Sequence, residues 1–339
     1  MAVYTQIGAE EMAALIADFD VGTLTSAKGI AEGVSNSNWL IDTTGGTGGH
    51  DGKGARFILT MYEFRIEIDD LPFFLSLLDH LADRHCPVPR TIHDAQGNLY
   101  RLRHDPVRGL RALALIEYLP GVSVSEPTPA QARAVGAALA QVHHAVGDFP
   151  GLRDNAMGLA EWQRLADACG DDGLRAIDPG LARLVARELP LLAAAWPTDL
   201  PRSVIHADLF PDNVLMLGDT VTGLIDFYFA CTDVTAYDLA VTHTAWCFDD
   251  AGRNFRPTLS AALIEGYESV RPLSRAERAA LPMLARGAAM RFTMSRAYDW
   301  LNTPADALVT RKDPMAFARR MAFYADSTNS GLFDESSFA

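Results

Sequence analysis

Between Val204 and Ala230 the chain reads VIHADLFPDNVLMLGDTVTGLIDFYFA. Three short, largely apolar runs, Ser203–His206, Asn213–Leu217 and Leu224–Phe227, are joined by tight polar loops. Runs this short read as strands, because helices need about ten or more residues. They predict a small β-hairpin inside a half of the chain that is otherwise helical in pattern. His206, Asp208 and Asn213 follow the spacing HxDxxxxN, and Asp226 lies eighteen residues beyond Asp208. Both acids then fall on loops flanking one hairpin, so Asp208, Asn213 and Asp226 converge. Three polar groups set between apolar strands are costly unless they serve a purpose.

The chemistry that wants this set is phosphoryl transfer from a nucleotide. One carboxylate aligns the acceptor hydroxyl and takes its proton. An amide oxygen and a second carboxylate hold Mg2+ against the phosphates, and Mg2+ needs few protein ligands because it keeps water. The transition state asks for positioning and charge neutralisation more than covalent help. Other readings fail on spacing. An EF-hand loop from Asp208 would need an acid where Phe210 stands and glycine at Asn213, and one histidine with scattered acids gives no zinc quartet. His206 reads as a scaffold supporting the Asp208 loop. Asp238, in Ala236-Tyr237-Asp238-Leu239, reads as a brace for the following helix and that loop. His143 and His144 read as packing or solvated helix positions.

Ahead of this segment the order is strands, one helix, more strands and a Pro-Gly break. Residues 8–19 pattern as a short helix, and 34–42 and 56–65 as strands. Thr43–Gly54 is a glycine-rich connection. It fails as a GxxxxGK[ST] phosphate loop, which would need glycine at Thr47 and Ser or Thr at Gly54. Asp70 is a plausible N-cap for a helix whose Leu71, Phe74, Leu75, Leu78 and Leu81 share a face. Short strands follow near 98–103 and 113–118, then Pro120-Gly121. Thr128-Pro129-Ala130-Gln131 is a capping box with proline at N1. It opens a helical stretch with helices near 128–146, 157–169, 178–195, 256–271, 275–302 and 313–326.

A length of 339 residues suits about two domains or lobes. The net charge of −14 argues against nucleic acid or anionic lipid as partners, so any phosphorylated ligand must meet local positive charge or a metal. Four scattered cysteines, Cys86, Cys169, Cys231 and Cys247, suggest neither a disulfide framework nor structural zinc. The N-terminus lacks the pattern of a signal peptide, and no run of about 18 apolar residues offers a membrane span. A cytoplasmic protein is expected.

HADLFPDNVL followed by GLIDFYFA resembles the catalytic core of the aminoglycoside phosphotransferase and choline kinase superfamily, relatives of protein kinases. The wider chain is similar to the bacterial homoserine kinase branch, through Gly33–Asn38 (GVSNSN), Asp70–Leu75 (DLPFFL), IDFYFAC, SVRPLS within GYESVRPLS, and YDWL within RAYDWL. The resemblance implies an α+β, two-lobed protein-kinase-like fold. Residues 1–119 would be an antiparallel-sheet nucleotide lobe with one packed helix. Residues 120–339 would be a mainly helical catalytic and acceptor lobe, with a hinge near 116–121. It further implies ATP and Mg2+ as cofactors and L-homoserine as the small-molecule substrate. The product would be O-phospho-L-homoserine, on the way to threonine.

Carried over residue by residue, Asp208 matches the catalytic base, and Asn213 and Asp226 the metal ligands. Gly33, Val34, Ser35, Asn36, Ser37 and Asn38 match the loop over the phosphates, and Glu117, Tyr118 and Leu119 the adenine hinge. One departure concerns the third-strand lysine of protein kinases. ILTMYEFR has none, Thr60 stands where it would fall, and Arg65 is the nearest cation, with Glu63 or Glu67 to orient it. An arginine fork suits the substrate carboxylate. Arg291, Tyr298, Tyr228 and Asp233 are the candidate acceptor contacts, with Arg296 and Asp299 read as an ordinary helix pair. Two rival readings stand beside this one. One is an aminoglycoside, choline or other amino-alcohol kinase. The other is a catalytically silent nucleotide-binding regulator.

Overall fold

Alternation of apolar and polar residues in NSNWLIDT and ARFILTMY puts one side of each strand against a core. A computed structural model describes residues 7–30, 36–44, 54–63, 66–105, 109–303, 311–329 and 331–334. The chain divides into two compact units, Met1–Pro120 and Gly121–Ala339.

The first unit runs α1 (Ala9–Ala17), β1 (Leu24–Ile30), β2 (Asn36–Thr43), β3 (Ala55–Tyr62), α2 (Leu71–Asp83), β4 (Thr91–Ile92), β5 (Arg101–Asp105) and β6 (Gly109–Glu117). The sheet order is β1-β2-β3-β6-β4, with β5 also on β6, and every pairing is antiparallel. Trp39, Ile41, Leu59, Met61, Leu113 and Leu115 share one face and pack with Met12 and Ile16 of α1. Full burial of each such side chain contributes about 1.5–3 kcal/mol. β1 and the two-residue β4 are strands that the pattern did not announce, and LTSAKGI is exposed along most of its length. A 3-10 turn, Ile68–Asp70, leads into α2, and Asp70 makes no side-chain cap there.

The second unit is mainly helical: α3 (Pro129–Ala145), α4 (Leu159–Ile177), α5 (Leu181–Ala195), α6 (Thr235–Trp246), α7 (Pro257–Glu268), α8 (Arg275–Asn302) and α9 (Met315–Ala325). Thr128 and Gln131 make both bonds of the capping box at the start of α3. Four strands interrupt the helices: β7 (Arg202–Ile205), β8 (Val214–Leu217), β9 (Thr220–Leu224) and β10 (Cys231–Val234). The expected single hairpin is thus two small antiparallel sheets, β8 with β9 and β7 with β10. The third apolar run does not continue as a strand, because the backbone turns left-handed at Asp226 (φ 65°, ψ 54°). All four cysteines are buried free thiols. No helix among the described residues is long and apolar enough to cross a membrane.

α3 and α7 meet backbone to backbone through two glycines. A Cβ at Gly136 would lie 2.0 Å from the Leu263 carbonyl oxygen, and one at Gly266 would lie 2.0 Å from that of Arg133. Neither neighbour can rotate away, since both are helix backbone. Gly136→Ala should therefore force the helices apart and cost about 1–3 kcal/mol. Thermal unfolding checks this, and an unchanged midpoint would show that the crossing tolerates the methyl group.

Candidate active site

Asp208 follows β7, Asn213 ends the 3-10 turn Pro211–Asn213 just before β8, and Asp226 follows β9. The hairpin holds the three together. The Ile225 amide donates to the Asn213 carbonyl at 3.0 Å. The Asn213 side-chain amide donates to the Asp208 carbonyl at 2.8 Å and approaches the Asp208 carboxylate at 3.4 Å. Because Nδ2 faces Asp208, the Asn213 Oδ1 is left for another partner.

The loop at Asp208 is held from beneath. Ala207 has a left-handed backbone (φ 63°), a conformation that a residue with a Cβ adopts only when its surroundings impose it. Asp238, fully buried on α6, imposes it by accepting from the His206 amide at 2.6 Å and the Ala207 amide at 2.7 Å. His143 of α3 reaches the same carboxylate through Nε2 at 3.0 Å, and its Nδ1 meets the Tyr267 hydroxyl at 2.7 Å. Burial works to raise the Asp238 pKa, but the His143 ring and the His206 amide outweigh it and hold the carboxyl below its ordinary range.

His206 links the two acidic loops. Its Nε2 lies 2.9 Å from the Ile225 carbonyl, and its Nδ1 lies 3.2 Å from the Asp208 amide. A carbonyl only accepts and an amide only donates, so the neutral Nε2–H tautomer is required. Burial lowers its pKa in the same direction, and Phe227 packs at 4.4 Å between ring centres.

Arg291 of α8 is the residue that the structure most reassigns. Its side chain is 2% exposed, it donates to the Ala207 carbonyl, and its guanidinium lies 3.7 Å from the Asp208 carboxylate. Phe292 and Phe229 flank it at 4.6 and 5.1 Å. Those contacts hold the guanidinium on the Asp208 loop, and its buried Nε has no hydrogen-bond partner among the described residues. Asp208 itself is 17% exposed on its side chain. Burial pushes its pKa up to about 7. Asp226 and Asp212 push the same way, and Arg291 and Lys312 oppose them. Burial and Asp212 also push Asp226 upward, but the residue is exposed and water tempers the rise.

Among the described residues, the Asp226 side chain makes no hydrogen bond or ion pair, and no group of three His, Cys, Asp or Glu side chains converges on a metal site. The available donors are thus one carboxylate and one amide oxygen. Such a pair suits a cation that takes its remaining ligands from phosphate and water, as Mg2+ does, and does not suit a structural zinc.

The other sequence candidates lie elsewhere or are occupied. Asp233 accepts from Asn155 at 2.7 Å and from the Val234 amide at 2.7 Å, and it pairs with Arg202 at 3.3 Å. Arg202 ties β10 to β7 and Asn155 ties it to the segment before α4, so these partners occupy the carboxylate. Tyr298 lies under the Arg164 guanidinium at 5.9 Å. Tyr228 is half-buried in the turn directly after Asp226.

In the first unit, Ser37 donates to buried Glu63 at 2.7 Å, Thr60 donates to Asn38 at 2.8 Å, and Asn36 is buried at the start of β2. Arg111 lies 3.7 Å from Glu63. Glu117 accepts from the Arg90 amide, Tyr118 lies beneath Arg56 at 5.3 Å, and Leu119 is half-buried. Gly33, Val34, Ser35 and Arg65 lie outside the described residues. Sequence reasoning missed the His143 contact. The available signal was a histidine at a position of the apolar stripe Leu139, Val142, Val146.

Residues 26–273 match the Phosphotransferase enzyme family. The homoserine kinase of Gluconobacter oxydans (strain 621H) is 48% identical, over 97% of this chain and 100% of that one. The homoserine kinase of Phenylobacterium zucineum (strain HLK1) is 47% identical, over 98% of each. An amicoumacin kinase in complex with AMP-PNP, Ca2+ and Ami superposes with a TM-score of 0.70 at 14% identity, covering 95% of this chain and 94% of that one. A likeness at that identity speaks to the fold, and the fold is protein-kinase-like. The chain is a kinase belonging to the phosphotransferase enzyme family, within its homoserine kinase branch.

Proposed function

We propose that this protein transfers the γ-phosphoryl group of ATP directly to the side-chain hydroxyl of L-homoserine, giving O-phospho-L-homoserine and ADP. The observation that carries the reading is the Asp208, Asn213 and Asp226 set on one braced hairpin, in a chain whose curated relatives are homoserine kinases over nearly their whole length. The product would feed threonine biosynthesis.

Asp208 aligns the acceptor hydroxyl and takes its proton as the oxygen attacks phosphorus. The partly exposed carboxylate has one side toward solvent, while Asn213, Arg291 and the His206 ring hold its loop. Asn213 Oδ1 and the Asp226 carboxylate would hold Mg2+, which supplies positive charge to the phosphate oxygens. Residues 1–119 are the proposed nucleotide lobe. The Gly33–Asn38 segment would form the phosphate end of the lobe, with Asn36–Asn38 already in β2 and the side chains of Asn36 and Ser37 turned into the fold; Arg65 would be the phosphate cation, and Glu117–Leu119 would be the adenine contact.

Release of ADP across a panel of L-homoserine, D-homoserine, choline, kanamycin and no acceptor tests the reading. Turnover confined to L-homoserine is expected. Preference for kanamycin or choline would replace the acceptor, and no turnover with any of them would restore the silent regulator. Asp226→Ala should weaken Mg-dependent nucleotide binding at least about 10–100-fold, read by titration calorimetry with and without Mg2+. Unchanged tight Mg-ATP binding would remove Asp226 from the metal.

A further inference from the structure

The sequence points to Arg291 for the acceptor carboxylate and reads Arg296 as half of a helix pair, and the structure gives the two arginines different surroundings. Arg291 is enclosed with Ala207 and Asp208, whereas Arg296 is half-buried and its charge is felt by the Asp208 and Asp212 carboxylates. Its guanidinium lies 4.4 Å above Phe317. Phe317 belongs to a three-ring cluster in which Phe210 and Phe292 are 4.8 Å apart, Phe292 and Phe317 are 4.9 Å apart, and Phe210 and Phe317 are 5.9 Å apart. Phe210 is two residues beyond Asp208, so this cluster connects Arg296 to the proposed reaction centre.

The other cations nearby are occupied. Lys312 pairs with Asp212, and Arg319 pairs with Asp313. Buried Arg320 donates to the Thr244 and Asp249 carbonyls. Arg296 donates to the Asp313 carbonyl at 3.3 Å, and among the described residues it has no carboxylate within ion-pair distance. Burial, with Arg320 adding to it, lowers its pKa to about 10, so it stays protonated in a setting that disfavours the charge. A half-buried guanidinium of this kind gains most from an anion with two parallel oxygens.

We infer that Arg296 is the carboxylate clamp of the acceptor site, selecting an amino-acid alcohol over amino alcohols that lack the carboxylate. The inference rests on the homoserine reading above and adds the residue that sets acceptor class. The clamp acts in binding the acceptor and takes no part in the transfer step.

Homoserine without its carboxylate is 3-aminopropan-1-ol, so the pair isolates the interaction. In Arg296→Met the KM for L-homoserine should rise about 30-fold or more. kcat/KM for 3-aminopropan-1-ol and the KM for ATP should stay within a few-fold of the parent. Arg296→Lys, which keeps a point charge without the fork, should recover part of the homoserine affinity. A melting curve for each variant shows that the fold survives, and the lysine variant decides the matter if the methionine variant does not fold. Equal loss on both acceptors, or an unchanged KM for L-homoserine, would overturn the clamp. A parent enzyme that phosphorylates another acceptor and ignores L-homoserine would instead overturn the function on which the clamp rests.

Discussion

Asp208→Asn should lower kcat by about 10^2–10^4-fold while the KM for ATP stays near that of the parent, because the substitution keeps the shape and removes the proton acceptor. The loop that carries Asp208 is held by the Asp238 carboxylate, the His206 ring and Arg291, none of which the substitution alters. Loss of activity with loss of ATP affinity would point to collapse of the site instead. The pH dependence follows from the same carboxylate. Its pKa in the free enzyme is raised to about 7, chiefly by burial. A raised pKa leaves more of the acid protonated at neutral pH, so kcat/KM should fall as pH drops through about 7. An unshifted carboxylate would hold activity down to about 4. A plateau extending to pH 5 would show that the acid is ionised when substrates bind.

Asp238→Ala should damage stability more than any other single change in the site. Asp238 accepts two backbone amides and the His143 ring inside a fully buried pocket. Removing one partner of such a buried set leaves the others unpaired, which costs about 3–5 kcal/mol. The left-handed Ala207 loses the bond that imposes its conformation, so kcat should fall as well. Chemical denaturation and turnover measured on the same sample check both parts. The pH sign agrees with this. The Asp238 carboxyl is held below its ordinary range in the folded state, so its contribution is present above the unfolded-state pKa. It is lost as pH falls toward the folded-state value. The variant should therefore lose part of the parent's acid sensitivity. A parent-like denaturation midpoint would show that water replaces the carboxylate without penalty.

The legible parts of this protein are those whose cause is local. The Thr128–Gln131 capping box joins residues three apart, and α8 begins and ends where its pattern predicts. The apolar stripe of α2 is likewise local, and Leu71, Phe74, Leu75, Leu78 and Leu81 are all buried. The less legible parts join distant residues. β1 carries little apolar signal because it is exposed over most of its length, and it forms by pairing with β2. β10 is four residues long and is a strand because β7 lies beside it. His143 and Asp238 are 95 residues apart, and Arg291 is 84 residues from Ala207.

What the residue order by itself determined was the hairpin, its three polar groups and their kinship to a phosphotransferase. Contiguous short runs and tight loops leave the chain few ways to place Asp208, Asn213 and Asp226. Only the tertiary structure decided which charged groups support that hairpin and which face outward. Arg291 and Arg296 are five residues apart on one helix and alike in sequence. Packing of α8 encloses the first against Ala207 and Asp208 and leaves the second half-open over Phe317. The desolvation that separates their roles comes from neighbours distant in sequence, and no local pattern encodes it.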